Sequence, residues 1–214
     1  MHHPEDLDHS PWPECRSSLV RGLSIYSDHE LVTHLQNHPE QGRYFIALFC
    51  RFERQLDAQL RTYPLQLTES QRHWIWQQLF LELSQLRLSH PEGLTLPTWF
   101  AQQVDRLMSV VEVAPKEQSD QESFSEREQA LAEISPVLGC YIQQALAKLP
   151  PDQRFVLVLH DTFRWSEHQI LTQLRQEGFP LSSAATLNLI QEARQTLFRE
   201  LPGDIRALYL RTRP

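Results

Sequence analysis

Glycine, cysteine and long apolar runs are all scarce in this chain of 214 residues, and each shortage excludes something. Six glycines leave no Gly-rich phosphate loop, and helix-favouring Leu, Gln, Arg and Glu dominate in their place. Alternation of β-branched residues never persists beyond a few positions, so no strand is expected. The three cysteines, Cys15, Cys50 and Cys140, are far apart and odd in number, with no CxxC pair. That pattern speaks against both a zinc site and a disulfide framework. Cys50 and Cys140 fall in apolar helical surroundings and read as core thiols. Cys15 reads as an idle surface thiol in preference to a redox sensor. No run approaches the ~20 apolar residues that span a bilayer. The opening "MHHPEDLDHSPWPEC" has no apolar signal core, so a cytoplasmic protein without membrane contact is expected. No metal or cofactor is expected either.

Basic charge is also short. The formal net charge is −7, which argues against a simple nucleic-acid coat. Its distribution is uneven. Residues 1–40 carry two basic and seven acidic side chains, and residues 112–135 carry the same numbers. Residues 41–111 hold seven against six, and 136–214 nine against seven. The acidity thus lies in an N-terminal segment and a linker, between and before two nearly neutral blocks. The expected organisation is an acidic segment with one short helix (1–40), a helical domain (41–111), an acidic linker (112–135) and a second helical domain (136–214).

Local signals place the helices. In "YSDHEL", Ser27 and Glu30 have the spacing of a capping box, with Tyr26 and Leu31 as its staple. Residues 43–61 put Phe45, Leu48, Phe49, Phe52 and Leu56 on one helical face. Thr68 and Gln71 open the next helix, and "TWFAQQVDRLMSVV" forms another. After the linker, "PVLGCYIQQALAKLP" is amphipathic and Pro150-Pro151 breaks it. Ser166 and Gln169 repeat the capping box, with Trp165 and Ile170 as staple, and Gly178 suits a left-handed helix end. Ser182 then caps a last helix whose apolar face holds Thr186, Ile190, Ala193 and Leu197. Two helices across a short turn are the sequence form of a helix-turn-helix.

The order of these pieces resembles a small sigma factor of the sigma-70 family, of the extracytoplasmic-function class. "LPPDQRFVLVL", "WSEHQILTQL" and the Ala193-Arg194…Leu197 ending are similar to that family's region 4, over residues 145–201. "GRYFIALFCRFERQL", "WIWQQLFLEL" with Gln77 and Phe80, and "LPTWFAQQVDRL" with Trp99 resemble its region 2, over residues 42–108. The resemblance implies an all-α, non-enzymatic transcription initiation factor whose C-terminal domain is a helix-turn-helix. Its partners would be core RNA polymerase, promoter DNA and an anti-sigma protein. Trp76, Gln77 and Phe80 would dock on the polymerase clamp. Ser182, Ser183, Thr186, Asn188, Gln191, Arg194 and Gln195 would contact promoter DNA.

The reading helix departs from the family's basic pattern, because the usual Lys and Arg positions fall on Leu187, Leu189 and Glu192. With little phosphate neutralisation it should bind DNA weakly by itself, although Asn188, Gln191, Arg194 and Gln195 have side chains that read base edges. The alternative is a promoter-blind regulator of the same fold that binds polymerase or another transcription regulator. Of Trp74 and Trp76, two apart, one is expected in the core and one at the surface. Trp99 and Phe100 read as core. Arg51, Arg54 and Arg61 read as a solvated face before a DNA-backbone track. His160 beside Asp161 lacks any nucleophile motif and reads as structural.

Overall fold

The computed structural model describes residues 10–86, 95–113, 134–179 and 182–210. Most of the expected acidic linker and residues 87–94 lie outside the described residues. Among the described residues every regular element is helical. A 3-10 turn at Pro13–Arg16 precedes α1 (Ser18–Arg21), α2 (Asp28–Asn37), α3 (Arg43–Leu60), α4 (Glu69–Gln85) and α5 (Leu96–Val113). Then come α6 (Pro136–Lys148), α7 (Pro151–Leu157), a π-helical turn at Val158–Thr162, α8 (Glu167–Gln176), α9 (Ser183–Glu200) and α10 (Gly203–Tyr209). None of the helices described is long and apolar enough to cross a membrane.

The chain divides into two compact units, Met1–Cys140 with Gly203–Pro214, and Tyr141–Pro202. This differs from the boundaries drawn on the sequence at both ends and in the middle, where Pro136–Cys140 falls in the first unit. Residues 10–40 pack as part of the first unit, and so does α10 at the other end of the chain.

In the first unit α3 is the central element. Seven consecutive residues, Tyr44 to Cys50, are buried, so this half of the helix is enclosed on all sides and not along one face. The expected stripe of Phe45, Leu48, Phe49, Phe52 and Leu56 is buried too. Aromatic rings fill the space between α3, α4 and α5. Phe45 lies 4.3 Å from Phe80, Phe49 lies 4.7 Å from Trp76, and Phe52 stacks on Phe100 at 4.6 Å. Trp99 and Phe100 are core residues, as their sequence context predicts.

Polar groups fix the ends of this packing. Ser27 and Glu30 form the capping box of α2, and Thr68 and Gln71 that of α4. The arginines of α3 are engaged within the unit. Arg51 donates to Asp28 at 2.7 Å and to the carbonyls of Leu23 and Tyr26, and Arg61 pairs with Asp57 at 2.6 Å. Arg54 approaches Glu53 at 3.9 Å.

The cysteine expectation is overturned. Cys15 and Cys50 are joined in a disulfide with a Cα–Cα distance of 5.5 Å, and Cys15 is fully buried. The sequence hides this because 35 residues separate the pair, while α1 and α2 fold back to bring the 3-10 turn onto α3. Closing a loop of that length contributes about 3–4 kcal/mol against the unfolded chain. Cys140 is the buried free thiol that its surroundings predict, and burial pushes its ionisation far above the ordinary range.

The second unit has its own core. Leu149, Val156, Leu157, Ile170, Leu174, Ile190 and Ala193 form it, with Leu146, Leu159, Trp165, Leu189 and Leu197 packed around them. Trp165 thus sits against the cluster that contains its staple partner Ile170. The capping box of Ser166 and Gln169 is formed. Gly178 takes φ +86°, the left-handed conformation expected of it. Its N–H donates to the Arg175 carbonyl at 3.2 Å and the Phe179 N–H to that of Leu174 at 2.8 Å, the two bonds of a Schellman helix end.

Candidate nucleic-acid interface on the last long helix

The helix α9 begins at Ser182, whose hydroxyl accepts from the Ala185 N–H at 3.2 Å. That interaction fixes the entry of the chain and holds the first-turn N–H groups at the helix start, where an anion is favoured. From there one face turns into the core through Thr186, Ile190 and Ala193. The opposite face exposes Asn188, Gln191 and Gln195, and Ser183 is exposed in the first turn, on the side of Thr186. Asn188, Gln191 and Gln195 stand at i, i+3 and i+7, so the three amides line up along one side.

Thr186 does not belong with them. It is fully buried, and its hydroxyl donates to the Ser182 carbonyl at 3.1 Å. A β-branched residue four positions before Ile190 completes the apolar face, so Thr186 supports the helix from within and presents nothing to a groove. Ser182 is exposed, but its oxygen is already an acceptor for the helix start.

Arg194 is exposed yet engaged. Its guanidinium bonds both carboxylate oxygens of Asp161, at 3.2 Å from Nε to Oδ2 and more closely from Nη2 to Oδ1, and Nη2 also lies 3.0 Å from His160 Nδ1. The π-helical turn makes this contact. It widens the chain at Val158–Thr162, with Phe163 N–H donating to the Val158 carbonyl at 3.2 Å, and Arg164 then reverses direction at φ 56°. His160 and Asp161 are thereby turned toward α9, with His160 Nδ1 2.7 Å from Asp161. Burial pushes the Asp161 carboxyl up, but the bonds and charges of Arg194 and His160 outweigh it and hold it below the ordinary aspartate value. The bond to Asp161 likewise holds Arg194 above its ordinary value. His160 and Asp161 thus hold Arg194, the one cation among the candidate contact residues of α9, within its own unit.

Beside the amide stripe lies a groove of about 700 Å³, lined on its apolar side by Phe155, Leu174, Phe179 and Leu189. Asp152, Glu177 and Glu192 bring three carboxylates to the same groove, next to Asn188. Sequence reasoning did not place these acids together, because they come from α7, the end of α8 and α9. Their summed charge opposes a phosphate backbone at this edge.

No protein-family model matches the chain, and no characterised protein and no solved structure matches it. What α9 and its surroundings do is therefore argued from their geometry alone.

The other expected site lies on α4, in the first unit. Trp76 and Phe80 are buried there, at 5% and 3% exposure, and face α3 with Ile75, Leu79 and Leu83. Their rings pack on Phe49 and Phe45, so they cannot make direct contact with a partner in this conformation. Gln77 is half-buried and reachable. Trp74, Gln78, Leu81 and Gln85 share its side of the helix, and Leu81 and Gln85 are exposed. Of the two tryptophans expected to split between core and surface, Trp76 is the core one and Trp74 is partly exposed, whereas Gln78, Leu81 and Gln85 were not singled out on the sequence. The period of 3.6 residues applied from Gln77 finds Trp74 and Leu81, and one turn beyond each of these Gln78 and Gln85. Among the described residues no group of His, Cys, Asp and Glu is arranged to hold a metal ion.

Proposed function

We propose that the protein is a cytoplasmic transcription initiation factor of the sigma type, in which α8, the turn and α9 act as a helix-turn-helix. One observation carries this reading. A helix with a capped start projects Asn188, Gln191 and Gln195 along one exposed face from a unit with its own core. Carboxamides pair bidentately with adenine in the major groove, so the stripe fits reading of bases with little attraction for the backbone. The first unit would bind core RNA polymerase through the accessible side of α4, with Trp74, Gln77 and Leu81 in contact and Trp76 and Phe80 supporting them from below. The acidic linker at 112–135 would lie along basic polymerase surface as a nucleic-acid mimic. Tethering to polymerase raises the effective concentration of α9 at the promoter and offsets its weak charge.

The test is promoter selection by polymerase loaded with the double variant Asn188→Ala, Gln191→Ala. Loss of selectivity with polymerase binding retained is the expected result. Unchanged selectivity removes α9 from the role of reader.

Two observations favour a second reading, a promoter-blind regulator that keeps the protein-binding surfaces. Arg194 is held by Asp161, and three carboxylates border the groove beside Asn188. Polymerase binding by the unaltered protein without any promoter preference selects it. An anti-sigma protein would be a partner under either reading.

A further inference from the structure

We propose that the Cys15–Cys50 disulfide is a reducible clasp. It holds residues 10–16 as a strap over the middle of α3, and its reduction releases the strap while the helices beneath remain folded. The strap meets one face of α3 at three successive points. Ser10 donates to Glu53 at 3.1 Å, the Trp12 ring stands edge-on to Phe49 at 6.0 Å, and Cys15 is bonded to Cys50. Phe49 is 1% exposed with the strap in place, and behind it lies the Trp76 ring of α4.

The strap is opposed as well as held. Closing it buries two carboxylates that the covalent bond lies between. Glu14 is 2% exposed, with one oxygen accepting from Ser135 and the other buried without a partner among the described residues. Glu53 is 8% exposed. Desolvated carboxylates favour a return to water. With the disulfide formed, separation is prevented. With it broken, Trp12 and two hydroxyl contacts remain to oppose the solvation of both acids. An element pulled in opposite directions by a removable bond and a permanent penalty is suited to switching. In a reducing compartment, disulfides that form are chiefly transient or redox-sensing.

The chemistry balances with ordinary partners. A dithiol reductant attacks one sulfur of the pair through a thiolate, forming a mixed disulfide and expelling the other cysteine as thiolate. Its second thiol resolves that intermediate, so two electrons and two protons arrive and the reductant leaves as a disulfide. In the reverse direction hydrogen peroxide oxidises one thiolate to a sulfenic acid. The second thiol then displaces water and restores the bond.

The experiment uses the full chain, air-oxidised, reduced with dithiothreitol, and reoxidised with peroxide. Limited trypsin cleavage after the exposed Arg16 reads strap release, and far-UV circular dichroism reads the helices. Cleavage at least tenfold faster on reduction is expected, with the helical signal unchanged and protection restored by peroxide. The variant Cys15→Ser should match the reduced protein. Equal cleavage in both states would overturn the clasp, because the strap would be held without the bond. Loss of helix on reduction would overturn it too, by making the disulfide a staple of the whole unit. Three free thiols in the oxidised sample would show that the pair does not form. A further arm, resting on the function proposed above, compares binding of the two states to core RNA polymerase. Reduction should strengthen it at least fivefold by uncovering the aromatic face beside α4. Equal binding overturns that use of the face. Binding in neither state counts against the proposed function, and the cleavage result then judges the clasp alone.

Discussion

Asp161 decides whether Arg194 adds positive charge to the exposed side of α9. Its bidentate hold on Arg194, supported by His160, leaves the amides of Asn188, Gln191 and Gln195 without a free cation beside them. Asp161→Asn keeps a hydrogen-bond acceptor but removes the charge that holds the guanidinium. Non-specific affinity for duplex DNA should rise roughly three- to tenfold at low salt, and the salt slope should steepen by about one phosphate contact. Fluorescence anisotropy at several salt concentrations checks this, and an unchanged slope would show that Arg194 was never withheld. Glu53 gives a prediction of opposite electrostatic sign. Burial raises its carboxyl above the ordinary value, against the hydrogen bond from Ser10 and the charge of Arg54. Between the unfolded and folded values the native state holds a proton that the unfolded chain has released. Stability therefore falls as pH rises through that window, and the penalty is complete above it. Glu53→Gln keeps an acceptor for Ser10 and cannot ionise. The variant should gain stability over the parent as pH rises from 4 to 7, measured by urea denaturation, and a constant difference would contradict the assignment.

Helix boundaries follow from short-range chemistry, and for that reason they were legible. Ser27 with Glu30, Thr68 with Gln71 and Ser166 with Gln169 each lie three residues apart, and each pair forms the reciprocal bonds expected of it. Gly178 ends α8 as its residue type requires. Ser166→Ala should cost the second unit about 1 kcal/mol, seen as a lower urea midpoint with the helical content of the native state unchanged. A helix was harder to read where its surroundings come from distant segments. The apolar face of α3 was visible, but its burial on all sides at Tyr44 to Cys50 depends on residues 10–16, which the local pattern does not announce. The π-helical turn is another such case. No residue type specifies the widening at Val158–Thr162, so the sequence showed His160 and Asp161 as neighbours and not their reach to Arg194.

At the scale of the whole molecule, long-range contacts decide what is assembled with what. The α3 N-terminus lacks a capping side chain of its own, and Asp204 of α10 supplies one from 161 positions away. Its carboxylate accepts from the N–H groups of Gly42 at 3.0 Å and Arg43 at 2.9 Å. Asp204→Ala should destabilise the first unit by about 1–2 kcal/mol, since a carboxylate at a helix start both satisfies donors and meets the dipole. Removal of residues 203–214 should do at least as much, and thermal denaturation of the two variants checks both. The all-helical class and the weak charge of α9 were legible because composition and periodicity carry them. The disulfide, the return of α10 to the first unit and the burial of Trp76 and Phe80 were not, because each depends on which surfaces meet. The most direct test of the proposed function is to load core RNA polymerase with the protein, offer a random DNA pool and sequence what is transcribed. A defined two-part promoter is the expected result. Transcripts with no shared upstream sequence, from polymerase that has bound the protein, would contradict it.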